Sequence, residues 1–245
     1  LYPIFLDVIT SEKVSVGPPF YNIVIIPLVI PFLLLMTLGP QFSWINSKRE
    51  KLYKTFYVLI GAFIINLFLF YFFGNYGLYS NLILISATFL IFHSILDIKK
   101  SINNKKKFEY PRIISHLGFG MLIFFIGINN QHSLETDFNL KVGETKKLDS
   151  YEVSFENIRI EQNKNYETVI GDFKITNLKK EKIHYLNPEI RIYTNPETLT
   201  YEAAIKSRVT SDLYLTMSNV SKSEFYNIKF QNKPFMVWIW ISAFM

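Results

Sequence analysis

The protein has 245 residues, of which 49% are hydrophobic, 17% aromatic and 19% charged, and it contains no cysteine. Residues 1–128 contain 11 Lys/Arg and 5 Asp/Glu, so they carry the whole formal net charge of +6, whereas residues 129–245 contain 15 of each sign. This composition excludes a disordered chain, a disulfide-stapled secreted module and a plain cytosolic enzyme. The cations lie between long apolar runs rather than on a polar face, so we expect no nucleic-acid partner. The sequence is that of a membrane protein.

Four apolar runs are close to the length of about 20 residues that a helix needs to cross a bilayer. They are Tyr21 to Leu38, Phe56 to Gly74, Leu82 to Ile98, and Ile113 to Ile128. These runs have no polar face, whereas a helix of a soluble protein keeps one wet side. We therefore predict an α-helical integral membrane protein with four spans. A fifth apolar run, Phe235 to Met245, predicts the start of another span.

Lysine and arginine are concentrated in two of the three connections between the predicted spans. Four lie between the first and second spans, and six lie between the third and fourth, whereas the connection Asn75 to Asn81 has none. Short loops rich in these residues stay in the cytoplasm. We therefore expect the N-terminal segment and everything after Ile128 to lie outside the cytoplasmic membrane.

The region from about Asn129 to Lys233 has a different pattern, in which apolar and polar residues alternate. A period of two predicts half-buried strands, and it is clearest in Tyr151 to Phe155, Glu189 to Tyr193, and Tyr226 to Phe230. One stretch, Thr200 to Lys206, is predicted to be helical. The region is long enough for one small core, so we expect a compact, mainly β, extracytoplasmic domain inserted between membrane helices.

The expected organisation has four parts. They are an extracytoplasmic lead-in at 1–20, a four-helix transmembrane region at 21–128, the mainly β domain at 129–233, and the start of a final transmembrane helix at 234–245. The sequence begins without Met or a signal-peptide pattern and stops inside its fifth apolar run. We therefore expect it to be the C-terminal portion of a larger membrane protein.

The candidate ligands for a metal or cofactor are four histidines. The absence of cysteine excludes thiolate chemistry within this sequence, and no phosphate loop or HExxH motif is present. His132 and His184 have no partner at metal-ligand spacing, so we expect ordinary surface or core roles. His93 lies four residues before Asp97, and such a pair can orient a metal or haem ligand. We favour a simpler interpretation, in which the pair reaches the membrane interface at the helix end.

His116 is the more informative histidine. It lies about one turn inside the fourth span, where an ionisable group is costly and is therefore a functional candidate. Its helical face continues with Gly120, Ile123 and Gly127. Glycines beside a histidine leave room for a flat group such as a haem macrocycle, or they let a neighbouring helix approach closely. The spacing alone favours helix packing and leaves haem ligation open.

Several strings occur in a characteristic order along the chain. Near the spans they are Leu1-Tyr-Pro, Val16-Gly-Pro-Pro-Phe-Tyr-Asn22, Leu38-Gly-Pro40 and Ser115-His-Leu-Gly118. In the region after the spans they are Ser133-Leu-Glu-Thr-Asp137, Pro188-Glu-Ile-Arg-Ile-Tyr193, Tyr201-Glu-Ala-Ala-Ile205, Asp212-Leu-Tyr214 and Lys233-Pro-Phe-Met-Val-Trp-Ile-Trp240. Together they resemble the CcmF family of cytochrome c haem lyases. The resemblance covers the C-terminal part of that family, less than half of a full member.

The resemblance implies a role in cytochrome c maturation. CcmF-like proteins receive haem from a haem chaperone and, with other maturation subunits, help join it to the Cys-x-x-Cys-His motif of apocytochrome c outside the inner membrane. The thioether cysteines belong to the substrate. The implied location is the bacterial inner membrane, among lipid, with residues 129–233 in the periplasm; the mitochondrial inner membrane is the alternative. We expect this segment alone to be inactive as a haem lyase.

The resemblance also implies a cofactor, haem b. Family members hold such a haem between two intramembrane histidines, and His116, in Ser-His-Leu-Gly, matches one of these axial ligands of the haem iron. The second ligand and the tryptophan-rich external haem-binding motif belong to an upstream region that this sequence does not include. No catalytic residue can be assigned.

Two other classes of function remain open. One is a membrane-tethered interaction or assembly module whose external domain docks partners, and the other is a transporter subunit without haem. A transporter predicts ionisable residues or broken helices at the middle of the membrane. These spans offer one candidate, near an edge.

The charge pattern makes a prediction about topology. A reporter that is active only outside the cytoplasm should work when fused after Asn130, because the six cations before the fourth span hold that connection in the cytoplasm. Reporter activity in cells measures this directly. Activity instead from fusions within residues 101–107 would show that the orientation is reversed.

Overall fold

The computed structural model describes residues 18–41, 49–74, 77–103, 109–219 and 224–245. Most of the expected lead-in at 1–20 therefore lies outside the described residues. The chain divides into two compact units. The helical unit comprises Leu1–Gly127 with Trp238–Met245, and the β domain comprises Ile128–Val237.

Four helices of the helical unit are long and apolar enough to cross a membrane. They are α1 (Pro18–Leu38), α2 (Arg49–Phe73), α3 (Leu78–Asn103) and α4 (Tyr110–His132). Each overlaps one of the predicted apolar runs, and each begins three to seven residues before that run. The prediction of four membrane helices with an inserted β domain is confirmed. A short 3-10 turn, Gly39–Gln41, follows α1, and a final helix, α5 (Met236–Ala243), follows the β domain.

Helix α3 packs against the other three long helices. Leu33 of α1 lies in one apolar cluster with Ala87 and Leu90 of α3, and three side chains of α4 pack onto it: Phe119, Ile123 and Phe124. On the side of α2, Asn66 Nδ2 donates a hydrogen bond to Thr88 Oγ1 of α3 at 3.0 Å. Hydrogen bonds between side chains help helices associate in lipid, where no water is present to replace them.

The described part of the β domain contains ten strands in two antiparallel sheets. The smaller sheet has the order β1-β10-β9-β8, and the larger has the order β2-β3-β4-β6-β7, with β5 also paired to β4. The strands are β1 (Leu134–Leu140), β2 (Thr145–Lys147), β3 (Tyr151–Gln162), β4 (Tyr166–Asn177), β5 (Lys182–Leu186), β6 (Glu189–Thr194), β7 (Glu197–Glu202), β8 (Ala204–Lys206), β9 (Ser211–Asn219) and β10 (Tyr226–Pro234).

The alternating sequence pattern places one face of each sheet in a shared core. Phe155 of β3 stacks on Phe173 of β4 with their ring centroids 4.2 Å apart, and both residues are 1% exposed. The facing strand β9 contributes Leu213, Leu215 and Met217, all of which are fully buried. The three strands predicted from alternation are confirmed, as parts of β3, β6 and β10.

The predicted helix at Thr200 to Lys206 is wrong. This stretch forms the end of β7 and all of β8. Tyr201 pairs with Ile190 of β6, and Ala204 pairs with Leu215 of β9. The local preference of Glu-Ala-Ala for helix is small, and strand pairing within the folded domain outweighs it.

The two ends of the β domain are held next to each other. Leu134, the first residue of β1, pairs with Asn232 near the end of β10. Asn129, close to the end of α4, donates a hydrogen bond from Nδ2 to the carbonyl oxygen of Pro234 at 2.6 Å. The domain therefore begins and ends at one place, as an insertion between two helices requires.

Phe173→Ala tests the core of the β domain. Removing a fully buried phenyl ring should destabilise the domain by about 3 kcal/mol or more, which lowers amide protection in β3, β4 and β9 by about a hundredfold. Hydrogen exchange measured by mass spectrometry on the whole chain reports this. The control Ile160→Ala, at a position 66% exposed, should leave protection nearly unchanged. Equal effects of the two substitutions would contradict the assigned core.

Candidate functional site

Ionisable side chains of α3 and α4 form a cluster within the helical unit. Asp97 Oδ2 lies 3.6 Å from His93 Nδ1 on the same helix and 3.8 Å from Arg112 Nη1 on α4. Arg112 Nη2 also lies 4.0 Å from a carboxylate oxygen of Glu109. Because opposite charges attract strongly where water is scarce, the Asp97–Arg112 pair links the two helices. We call His93, Asp97 and Arg112 the α3–α4 polar cluster.

His93 is more deeply placed than its sequence position indicates. It is 8% exposed, and its ring lies edge-on to Phe89 with the ring centroids 6.4 Å apart. The histidine of the His93–Asp97 pair is thus covered by protein, whereas its expected position near the membrane interface at the helix end stays a prediction. Its Nδ1 faces Asp97, an arrangement that fixes the orientation of an imidazole.

His116 lies on α4, one turn after Arg112, and is half-buried. It is within electrostatic range of all three members of the α3–α4 polar cluster. Within the part of the chain that the structure describes, its ring makes no hydrogen bond or ion pair. By contrast, His93 faces Asp97, His184 contacts Arg208, and His132 also has a partner. Among the described residues, His116 is thus the histidine whose ring nitrogens have no hydrogen-bond or ion-pair partner.

The glycines on the same face as His116 serve helix packing. A Cβ atom added to Gly120 would lie 3.1 Å from Cγ1 of Ile91 and 3.4 Å from the carbonyl oxygen of Ala87, both on α3. A Cβ atom added to Gly127 would lie 2.9 Å from Cδ2 of Leu84, which is also on α3. Among the described residues, helix α3 therefore occupies this face at Gly120 and Gly127, where a macrocycle would otherwise lie. The exposed part of the His116 ring remains open to a haem.

The remaining glycine of α4 contacts the last helical segment. A Cβ atom on Gly118 would lie 2.9 Å from the carbonyl oxygen of Ser242 and 2.7 Å from Cβ of Met245. Seven residues further along α4, Phe125 stacks on Trp238 with ring centroids 5.8 Å apart. Helix α5 therefore runs antiparallel to α4 and close against it. This contact is consistent with the expected start of a further membrane helix.

The residues present fit one axial position of a haem iron. A neutral imidazole offers its nitrogen lone pair to iron, and the half-buried His116 ring meets this need. Among the described residues, His93 is the histidine of the α3–α4 polar cluster, but it is only 8% exposed and so presents less of its ring than the half-buried His116. The described residues also contain no group of three His, Asp or Glu side chains that could hold a metal ion.

His184 of the β domain has a different environment. Its Nε2 lies 3.5 Å from Nη1 of Arg208. Burial lowers the pKa of His184, and the nearby cations Arg208, Lys206 and Lys182 lower it further. The imidazole is therefore held neutral beside a guanidinium. The place of His184 in β5, opposite Ile175 of β4, is compatible with an ordinary structural role.

Comparison with protein families supports the sequence resemblance. Residues 131–234 match the family profile described as the CcmF C-terminal beta-sandwich. The whole chain aligns with the cytochrome c-type biogenesis protein CcmF of Pseudomonas aeruginosa, with 24% identity over 255 residues. It also aligns over its whole length with the protein of that name from Escherichia coli, with 25% identity over 251 residues. The chain spans 39% and 38% of these two relatives.

A solved structure shares the fold. It is described as cytochrome c heme lyase CcmF, and it matches 99% of this chain with a TM-score of 0.75 and 18% identity. The chain covers 40% of that structure. The match includes both the membrane helices and the β domain, so the two units occur together in the same order elsewhere.

Gly120→Val tests the contact between α3 and α4. The larger side chain should push the helices apart and destabilise the helical unit by roughly 1–3 kcal/mol. Thermal unfolding in detergent measures the loss. Gly61→Val on α2 is the matched control, because a Cβ there meets nothing within 4 Å and the change in helix propensity is the same. A Gly120 variant as stable as the Gly61 variant would contradict the close contact.

Proposed function

Since residues 131–234 match the CcmF C-terminal beta-sandwich and the whole chain aligns with CcmF proteins, we propose that it is the C-terminal part of a membrane haem lyase subunit of that family. The whole protein receives haem from a haem chaperone and helps attach it to apocytochrome c, together with other maturation subunits. It works in the bacterial inner membrane, with residues 129–233 in the periplasm. The similarity of the whole chain to CcmF proteins supports this assignment.

His116 is, in this proposal, an axial ligand of a haem b. The observation that carries it is a half-buried intramembrane imidazole whose ring nitrogens have no partner among the described residues. A haem b bound there supplies a one-electron redox centre. The second axial ligand comes from a part of the protein beyond these 245 residues.

The neighbouring residues of this chain position the imidazole. The Asp97–Arg112 pair joins α3 to α4 one turn from His116, and the contact at Gly120 joins the same helices one turn further on. These two links fix the rotation of α4 and the depth of the His116 ring. Arg112 is compensated by Asp97 and Glu109, so it places no unpaired cation beside the iron ligand.

The β domain has a separate role in this proposal. It carries a nearly balanced charge and its histidines have partners, so it is expected to bind no haem. Its surface is available to dock partners of the maturation complex or to shape the external surface over which haem is transferred. Asn129 and the β1–β10 pairing bring the two ends of the domain together, so both of its connections leave from one place.

The test uses the full-length protein in its membrane. His116→Ala should remove or strongly alter the b-type absorption spectrum and impair cytochrome c maturation, because iron loses one of its two axial ligands. Membrane insertion, measured by immunoblot of the membrane fraction, should be unchanged. Haem content per protein and the reduced absorption spectrum are the decisive measurements.

The matched control is His93→Gln, which retains an amide N–H for Asp97 and fills most of the buried space. It should keep the b-type spectrum, and so should His93→Ala wherever the protein remains folded. A His116→Ala protein with full haem content and an unchanged reduced spectrum would return this histidine to a packing role. It would favour a membrane-tethered interaction module or a transporter subunit.

A further inference from the structure

The end of the β domain at which the chain enters α5 carries a fixed loop. Phe235 immediately precedes α5, and its backbone N–H donates a hydrogen bond to the carbonyl oxygen of Thr210 at 3.0 Å. The loop formed by Ser207 to Thr210 is therefore held beside the point at which the chain leaves the β domain. We call this segment the 207–210 loop.

Side-chain hydrogen bonds fix the conformation of the 207–210 loop. Arg208 Nε and Nη2 donate to the carbonyl oxygen and the hydroxyl of Ser211, at 2.9 and 2.7 Å. The Asp212 carboxylate accepts from the Arg208 backbone N–H at 3.0 Å and from the Ser207 hydroxyl at 3.2 Å. Beside these hydrogen-bonded groups the loop presents Val209, which is 66% exposed. Because the loop is already fixed, it loses little conformational entropy when its exposed apolar side chain inserts into a lipid interface.

Lysines surround this loop. Lys182 and Lys206 are both exposed, and with Arg208 they act on His184 electrostatically, so the three cations lie in one neighbourhood. Neither lysine forms an ion pair with any residue that the structure describes. Asp212 is 4% exposed and its carboxylate is occupied within the loop. Glu181 precedes Lys182, but the same turn also carries Lys179 and Lys180, so the surface is positive.

We propose that this end of the β domain binds anionic phospholipid headgroups, with Val209 inserted at the interface and Lys182 and Lys206 against the phosphates. Exposed apolar side chains flanked by lysine are the combination that favours attachment to an anionic lipid surface. A lipid occupant fits better than a protein partner because the loop is hydrogen-bonded to the residue that leads into α5. The proposal does not depend on haem binding by His116.

The test uses a single fluorescent label, because the natural sequence contains no cysteine. Val209→Cys is labelled with an environment-sensitive dye in the intact protein and reconstituted in vesicles of phosphatidylcholine with or without phosphatidylglycerol. Nitroxide groups on the lipid headgroups should quench this dye several-fold more than the same dye at Lys164→Cys, an exposed position between β3 and β4. Quenching at position 209 should increase with the fraction of phosphatidylglycerol.

Reversing the charges of the two lysines tests whether quenching at position 209 requires anionic lipid or only reflects a short distance to the membrane. Lys182→Glu combined with Lys206→Glu should return quenching at position 209 to its value in phosphatidylcholine alone, whereas Lys164→Glu should not change it. Equal quenching at positions 209 and 164 would overturn the proposal. So would quenching at position 209 that stays the same at every fraction of phosphatidylglycerol, because anionic headgroups would then have no part in binding the loop.

Discussion

The close contact between α3 and α4 is the interaction on which the candidate site depends. Lipid tails are as apolar as most side chains, so membrane helices gain little by hiding apolar surface from them and associate instead by close packing. Gly120 and Gly127 allow that packing, because any larger residue would meet side-chain or backbone atoms of α3. The Asp97–Arg112 pair joins the same two helices on the other side of His116, one turn before it along α4. The imidazole is consequently placed by links on both sides of it along α4.

A second constraint organises the β domain. Because its first and last strands pair with each other and Asn129 binds the carbonyl of Pro234, the domain is anchored at one end only. The other strands are free to form a core of their own, in which Phe155 and Phe173 are stacked. This arrangement suits a sandwich that is inserted in sequence between two helices. It also brings the 207–210 loop to the anchored end.

Much of the fold could be predicted because lipid and water impose different patterns. Helices that cross a bilayer must be apolar on every side and satisfy their own backbone, and strands between water and a core must alternate. The stretch Thr200 to Lys206 was mispredicted because Glu-Ala-Ala suits a helix locally, whereas strand partners distant in sequence decide its conformation. The predicted starts of the four long helices are three to seven residues too late, because a helix extends beyond the apolar run that identifies it.

The candidate site was only partly predictable for a related reason. The choice of His116 as a candidate follows from the sequence, because an ionisable residue inside an apolar run is conspicuous. The link between Asp97 and Arg112 depends on the register of two antiparallel helices, which no periodicity reveals, although both residues flank one short connection. The glycines were ambiguous because the same small residues suit a macrocycle or a helix. Only the position of α3 shows that a helix occupies this face.

The central claim is that His116 supplies a nitrogen ligand to haem iron, and the most direct measurement exchanges that ligand rather than removing it. The oxidised full-length protein carrying His116→Met should be compared with the natural protein by near-infrared magnetic circular dichroism, in which the charge-transfer band reports the axial ligand pair. If His116 is a ligand, the band should move from the position of two histidines to that of histidine with methionine, and the reduction potential should rise. An unchanged band at full haem occupancy would contradict the assignment.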